Sequence, residues 1–184
     1  MATQYDVLTP TLSGFIENQH IFFTATAGPE GRVNLSPKGM DSLRILSPNR
    51  IIWRNLTGSG NETAGHLAQI NRITLMWCGF EVKPLILRVY GSAATLHPRD
   101  ADFDALNALF PVSDGARQIY DVAIEMVQTS CGYAVPFMEY AGERDVLTTW
   151  TENKGPEGIA DYWATKNQQT IDGAPTFVLE EPGD

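Results

Sequence analysis

A succession of β-rich segments joined by tight turns constrains the fold of this chain more than any other feature. Segments 20–27 and 32–36 flank the turn sequence Gly28-Pro29-Glu30-Gly31, and this arrangement predicts a β-hairpin. Further β-rich segments lie over residues 50–56, 73–80, 84–96 and 117–129. The sequence therefore predicts roughly six strands, and the run Gly91-Ser92-Ala93-Ala94 predicts a bend or bulge in one of them.

Short helices are predicted around these strands. Their predicted ranges are 11–19, 62–70, 100–110, 142–153 and 156–169. Strands and helices do not alternate regularly, so an antiparallel split β-barrel is favoured over a doubly wound parallel sheet. We expect a mainly β (α+β) single domain over residues 1–184, with short peripheral helices. Residues 171–184 are acidic and rich in Pro and Gly, which predicts an extended or flexible tail.

Composition excludes several classes of function. The chain has 22 Asp and Glu against 13 Lys and Arg, a net charge of −9, which is the wrong sign for a nucleic-acid-binding surface. Cys78 and Cys131 form neither a CxxC motif nor a Cys/His cluster, so no zinc or disulfide framework is expected. No signal peptide and no apolar run of membrane-spanning length is found, and we expect a cytoplasmic protein.

The turn Thr57–Thr63 joins a predicted strand to a predicted helix and admits two interpretations. Ser59 and Glu62 match the S-x-x-E pattern of a helix capping box, which is a purely structural role. The glycines and the helix N-terminus would also suit an anion, provided that a basic residue comes from elsewhere. Lys38, at the end of a strand, is the natural candidate for that base.

Three segments, taken together and in this order, resemble the pyridoxamine 5′-phosphate oxidase-like FMN-binding family. They are Arg-Val-Asn-Leu-Ser-Pro-Lys-Gly at 32–39, Ile-Ile-Trp-Arg-Asn-Leu-Thr-Gly-Ser-Gly-Asn-Glu-Thr-Ala-Gly-His-Leu at 51–67 and Asn-Arg-Ile-Thr-Leu-Met at 71–76. The resemblance implies a homodimer of split barrels with FMN in grooves between the subunits. It implies that Arg32 and Lys38 face the flavin and its phosphate. The remaining residues implied at the FMN site are Ser36, Trp53, Arg54, Asn55, Thr57, Ser59, Asn61 and Thr63.

The chain departs from the true pyridoxamine phosphate oxidases at two points. Their turn carries an Arg-Lys pair where this chain has Asn61-Glu62-Thr63, and their arginine-rich C-terminal segment has no counterpart after Arg144. These departures argue against pyridoxamine phosphate as substrate. The resemblance therefore implies an FMN-dependent oxidoreductase of an unidentified small molecule, with NADH or NADPH as an electron donor to be tested. The alternatives are a non-catalytic module that binds or stores flavin, haem or deazaflavin, and a barrel that has lost its ligand.

No catalytic residue is assigned from the sequence, because a flavin performs the redox chemistry itself. His20, His66 and His97 are isolated from one another, and structural roles are expected for them. Arg117 and Tyr133 stay open as pocket or dimer contacts. No metal site is expected.

Overall fold

The structure is a computed structural model, and it describes residues 2–179. Its strands are β1 (Thr3–Tyr5), β2 (Phe22–Thr26), β3 (Asn34–Lys38), β4 (Leu43–Ser47), β5 (Arg50–Leu56), β6 (Ile73–Cys78), β7 (Leu85–Leu96) and β8 (Ala116–Cys131). Its helices are α1 (Pro10–Glu17), α2 (Glu62–Gln69), α3 (Phe103–Asn107) and α4 (Val146–Lys166).

The eight strands of the described residues form one antiparallel sheet. Seven of them follow the order β3-β2-β6-β7-β8-β5-β4, and β1 lies off this path beside β8. β8 is long enough to have two partners along one edge, because β5 pairs with its first half and β1 pairs with residues 127–129. Within the described residues, β3 and β4 each have one partner strand, so the sheet curls without closing. The predicted fold class, a mainly β antiparallel split barrel with short peripheral helices, is confirmed.

The predicted bulge in the long strand β7 is also confirmed. The register between β7 and β8 shifts between Tyr90 and Gly91. A Cβ atom at Gly91 would overlap the carbonyl oxygen of Ala123 on the neighbouring strand. Only glycine fits such a close approach of two backbones, and the bulge bends the sheet toward a barrel.

Large aromatic side chains form the centre of the core. Trp53 on β5 stacks on Tyr120 of β8 with 4.7 Å between ring centroids, and it meets Phe22 of β2 edge-on at 6.0 Å. Phe22 in turn stacks on Trp77 of β6. These contacts join strands that are distant in the chain. A smaller cluster, including Ile52 and Phe110, covers the opposite face of β5.

The structure differs from the predicted elements at four places. β1 and β4 were not predicted, because the three residues of β1 pair with a strand more than a hundred positions away and β4 lies in an unremarkable stretch before the breaker Pro48. α3 is shorter than the predicted helix over 100–110. The two predicted C-terminal helices form the single range Val146–Lys166 with a break at Gly155, whose φ of 64° is not helical.

The segment that follows α4 lies across α2 rather than away from the barrel. Thr176 and Val178 are buried, and the Arg99 side chain donates hydrogen bonds to the carbonyls of Phe177 and Val178. Residues 180–184 of the predicted tail lie outside the described residues. None of the helices in the described part of the chain is long and apolar enough to cross a membrane.

Candidate functional site

A cavity of about 310 Å³ opens between β3, the end of β5 and the start of α2, and we call it the β3–α2 cavity. Nine of its twelve lining residues have polar side chains. The lining residues are Asn34, Ser36, Lys38, Asn55, Leu56, Gly58, Ser59, Gly60, Asn61, Glu62, Thr63 and Arg117. The strand that carries the candidate base Lys38 and the turn that could hold an anion therefore meet at one place.

β3 contributes every second side chain to this cavity. Asn34, Ser36 and Lys38 face inward because successive side chains of a strand point to opposite faces. The Ser36 hydroxyl lies 3.0 Å from the Thr24 hydroxyl on β2, and Asn34 Nδ2 donates to the Thr63 Oγ1 atom at 3.3 Å. These bonds fix the polar wall of the cavity against the neighbouring strand and the helix.

The opposite wall is organised by Arg117 at the start of β8. Its guanidinium is buried and donates to the carbonyl of Gly58 at 3.3 Å, the carbonyl of Gly60 at 2.9 Å and Oδ1 of Asn167 at 2.7 Å. Arginine presents its donors in a fixed planar fork, so a single side chain holds both ends of the glycine turn. Arg117 therefore helps to fix the conformation of the turn.

Burial lowers the pKa of both basic side chains that line the cavity. Desolvation, followed by the charge of Arg117, lowers the pKa of Lys38 to about 8. Desolvation lowers the pKa of Arg117 to about 10. Both groups carry a positive charge at neutral pH, and that charge is poorly solvated, so a bound anion would stabilise it strongly.

The helix α2 begins at the cavity without a capping side chain. Its N-cap is Asn61, which makes no side-chain hydrogen bond to the first turn. The capping-box interpretation of Ser59 and Glu62 is wrong, because the N-cap is Asn61, two residues after Ser59. The Glu62 carboxylate instead accepts the backbone N–H of Ile171, at 3.0 and 3.1 Å. The first N–H groups of α2 are therefore left for another acceptor.

Buried polar atoms without a partner cluster around this cavity. Among the described residues, Nε of Arg117, Oδ1 of Asn61 and Nε2 of Gln118 are buried and make no hydrogen bond. Gln118 lies beneath the cavity, where its Oε1 accepts from Asn55 Nδ2 at 3.1 Å. Buried donors normally find partners, so the free Nε donor of Arg117, a residue that lines the cavity, fits an oxyanion or another acceptor at this place. The donor set matches a phosphate group.

Six of the residues predicted at the FMN site line the cavity. They are Ser36, Lys38, Asn55, Ser59, Asn61 and Thr63. They come from two strands, the glycine turn and the first turn of α2, which the fold brings together.

The structure places the other four predicted residues outside the cavity. Arg32 is mostly exposed and forms an ion pair with Asp172. Arg54 points to the opposite face of β5, where it donates to the Pro111 carbonyl at 2.5 Å, since adjacent residues of a strand alternate in direction. Trp53 lies in the core, beneath Lys38.

The fourth residue, Thr57, supports the turn from behind. Its hydroxyl donates to the Gly115 carbonyl at 2.9 Å and accepts from Trp163 Nε1 at 2.9 Å. Thr57 is buried and does not line the cavity. It fixes where the turn leaves β5.

The predicted set did not include Asn34 and Arg117, which line the cavity, or Asn167, which supports it. Asn34 could have been found from the alternation that places Ser36 and Lys38 on one face. Arg117 was left open, because nothing near it in the sequence identifies its partners. Asn167 gave no signal, since its role depends on contacts across about half the chain.

The remaining candidates lie elsewhere. His66 is buried on α2, where its Nδ1 is hydrogen-bonded to Thr26 Oγ1 at 3.1 Å. His20 stacks on Tyr140, while Cys131 and Tyr133 are exposed. Within the described residues, no group of three or more His, Cys, Asp or Glu is placed to hold a metal ion.

Comparison with known proteins gives a match to a protein family and to one of its members. The sequence profile described as pyridoxamine 5′-phosphate oxidase matches residues 8–131. The pyridoxamine 5′-phosphate oxidase family protein ustO of Aspergillus flavus is 29% identical over 191 residues, which cover 93% of this chain and 76% of that relative.

Solved structures share the fold at low identity. HupZ of Group A Streptococcus superposes with a TM-score of 0.53 and 19% identity, over 65% of this chain and 91% of that chain. A candidate pyridoxamine 5′-phosphate oxidase of Lactobacillus delbrueckii gives a TM-score of 0.52 and 20% identity, over 67% and 94% of the two chains. The profile match covers more than half of the sequence, and the chain therefore belongs to the pyridoxamine 5′-phosphate oxidase family.

Proposed function

We propose that this chain is an FMN-binding flavoprotein and that the β3–α2 cavity holds the phosphate of FMN. The observation that carries the proposal is the convergence of two poorly solvated cations, Lys38 and Arg117, with the uncapped N-terminus of α2. A phosphate dianion would meet both charges, the helix dipole and hydroxyl donors of Ser59 and Thr63.

The cavity is positively charged although the chain as a whole is acidic, and this local charge supports the proposal. The net charge of −9 opposes binding of polyanions, yet the cavity itself carries two positive groups. Glu62 also lines the cavity, but its carboxylate is engaged by the N–H of Ile171. A single phosphate is therefore favoured, whereas a nucleic acid is not.

The size of the cavity supports a flavin site completed by a second subunit. A volume of about 310 Å³ lies at the small end of pockets for small molecules, which span roughly 300–1,000 Å³. It accommodates the phosphate and the adjoining chain and leaves the ring system outside. β3 is an edge strand among the described residues, and Leu35 on it and Val33 just before it are exposed, so this edge favours contact with another copy. We propose a homodimer with the ring in the groove between the subunits.

The proposed activity is that of an oxidoreductase acting on an unidentified small molecule. FMN supplies the electron-accepting and hydride-transferring chemistry when it is bound. The residues of this chain would bind and orient it, with Asn55, Ser36 and Lys38 along the wall that leads out of the cavity. Lys38 would keep a positive charge beside the flavin at neutral pH.

A non-catalytic flavin-binding or storage module is the second candidate, and one observation favours it. Among the described residues, the ionisable groups that line the cavity are Lys38, Arg117 and Glu62, so no histidine or cysteine stands there as an acid, base or nucleophile. The two candidates differ in turnover, which is directly measurable. NADH or NADPH should bleach the flavin of an oxidoreductase, and air should reoxidise it over many cycles.

Titration with FMN and with riboflavin tests the binding proposal. The purified protein should bind FMN, show the absorbance of a bound flavin, and bind riboflavin much more weakly because riboflavin lacks the phosphate. Lys38→Met should reduce the affinity for FMN and leave that for riboflavin nearly unchanged. A protein that binds neither compound, or binds both equally, would overturn the proposal.

A further inference from the structure

Asn167, at the C-terminal end of α4, touches three separate parts of the wall of the β3–α2 cavity. Its Oδ1 accepts from Arg117 Nη1 at 2.7 Å, and its Nδ2 donates to the Gly58 carbonyl at 3.1 Å. Its backbone carbonyl accepts from Asn61 Nδ2 at 3.3 Å. One residue therefore connects β8, the glycine turn and the N-cap of α2.

The amide of Asn167 is suited to this position in a way that few side chains would be. It presents an acceptor to the cation and a donor to the carbonyl at the same time, and the residue is 0% exposed. Without it, Arg117 would lose its shortest hydrogen bond, and the Gly58 carbonyl would keep only the longer bond from Arg117 at 3.3 Å. Both groups would then be free to move into the cavity.

Asn167 is itself held firmly. Its N–H donates to the Trp163 carbonyl at 3.1 Å, and its carbonyl accepts from the Thr176 hydroxyl at 2.5 Å. The Trp163 indole in turn donates to Thr57 at the beginning of the turn. The end of α4 and the segment after it thus form a support behind the glycine turn.

We propose that Asn167 is a positioning residue that gives the cavity its preference for a phosphorylated ligand. It lies outside residues 8–131, the part of the chain that matches the family profile, so the support is contributed by the C-terminal segment of this chain. The inference rests on the proposed function, because it names the residue that orients Arg117 and the turn toward the FMN phosphate. Asn167 does not line the cavity and acts through the residues that do.

The test compares dissociation constants for FMN and riboflavin in the wild type, Asn167→Ala, Asn167→Asp and the control Asn153→Ala. Asn153 is an exposed asparagine on the same helix. Asn167→Asp has the same shape and keeps the acceptor for Arg117, so it supplies a folded variant if Asn167→Ala unfolds. Circular dichroism and thermal unfolding establish which variants are folded.

We expect both substitutions at Asn167 to weaken FMN binding by roughly 10- to 100-fold, the range for a hydrogen bond to a charged group. Riboflavin binding should change less than about twofold, because riboflavin has no phosphate for Arg117 and the turn to bind. Asn153→Ala should match the wild type for both compounds. A purely structural role predicts equal weakening of both compounds, which would overturn the inference, as would unchanged FMN affinity. A wild type that binds no FMN would instead refute the proposed function.

Discussion

The ammonium of Lys38 lies 5.0 Å from the centre of the Trp53 ring, at the place where the cavity meets the hydrophobic core. The indole face stabilises the cation there, while burial and the nearby charge of Arg117 oppose it. The balance lowers the pKa of Lys38 to about 8. A lysine in this state gains more from an anionic partner than a solvated surface lysine would.

Affinity for FMN should therefore fall as the pH rises through about 8. Deprotonation of Lys38 removes one of the two charges that face the phosphate, and a site with a pKa of about 8 should lose roughly tenfold in affinity between pH 7 and pH 9. Fluorescence titration of FMN at several pH values measures this change. Lys38→Arg, whose side chain stays charged, should show a flat profile over the same range.

The deprotonation of Lys38 should weaken FMN binding as the pH rises, but it should make the ligand-free protein more stable. The pKa of Lys38 is lower in the folded state than its ordinary value of 10.5, so between about 8 and 10.5 the unfolded chain binds more protons. The contribution of Lys38 to the free energy of unfolding therefore increases with pH in that window. Denaturant titrations at several pH values give the free energy of unfolding as a function of pH. This free energy should rise more steeply with pH in the wild type than in Lys38→Met. The same pH dependence of the free energy of unfolding in both proteins would contradict the lowered pKa of Lys38.

Replacing Arg117 by lysine should damage both the turn and the site. A lysine keeps the charge but cannot bond Gly58, Gly60 and Asn167 with the planar fork that arginine provides. We expect FMN binding to weaken by about 1.5–3 kcal/mol, the scale of a hydrogen bond to a charged group. Isothermal titration calorimetry measures this loss. Arg72→Lys, at an exposed position, is the matched control and should have no effect.

Arg32→Ala should leave the affinity for FMN within about twofold of the wild type, although the family resemblance implies a flavin contact for this residue. The structure pairs Arg32 with Asp172 at the surface, and exposed ion pairs contribute only about 0–1 kcal/mol to stability. FMN titration and thermal unfolding check both statements. A large loss of FMN affinity would mean that Arg32 leaves Asp172 when flavin binds.

Gly65→Ala should destabilise the protein even though alanine is the better helix former. A Cβ at Gly65 would overlap the methyl of Thr170 and crowd the carbonyls of Pro175 at 3.3 Å and Ala174 at 3.4 Å. We expect faster proteolytic cleavage within residues 170–176 and a lower thermal midpoint. Gly14→Ala in α1 is the control, because nothing lies within 4 Å of its Cβ, and it should gain up to about 1 kcal/mol.

Local patterns in the sequence were enough to predict most of the barrel. The hairpin of β2 and β3, the strand β5 and the helix α2 have turn signals and periodicities of their own, and Gly91 marks the bulge of β7. β1 could not be predicted in this way, because three residues have no intrinsic preference for a strand. It forms only where β8 offers a free edge next to residues 127–129.

The site was predictable along one strand and less so across strands. Alternation from Lys38 leads to Ser36 and Asn34, and all three line the cavity. The same rule shows why Arg54 and Asn55 cannot share one wall, since neighbours on β5 point in opposite directions. Which arginine supplies the second charge depends on folding, because Asp172 holds Arg32 outside while β8 brings Arg117 in.

The position of Asn167 in the chain has a consequence for how the protein acquires its ligand. During synthesis every strand of the barrel leaves the ribosome before Asn167 does, so the sheet can assemble while the turn at Gly58 and Gly60 still lacks part of its support. Tight loading of a phosphorylated cofactor would then wait for the C-terminal segment. A chain that ends before Asn167 would lack this support for the turn, and we expect it to hold a phosphorylated ligand more weakly than the full chain does.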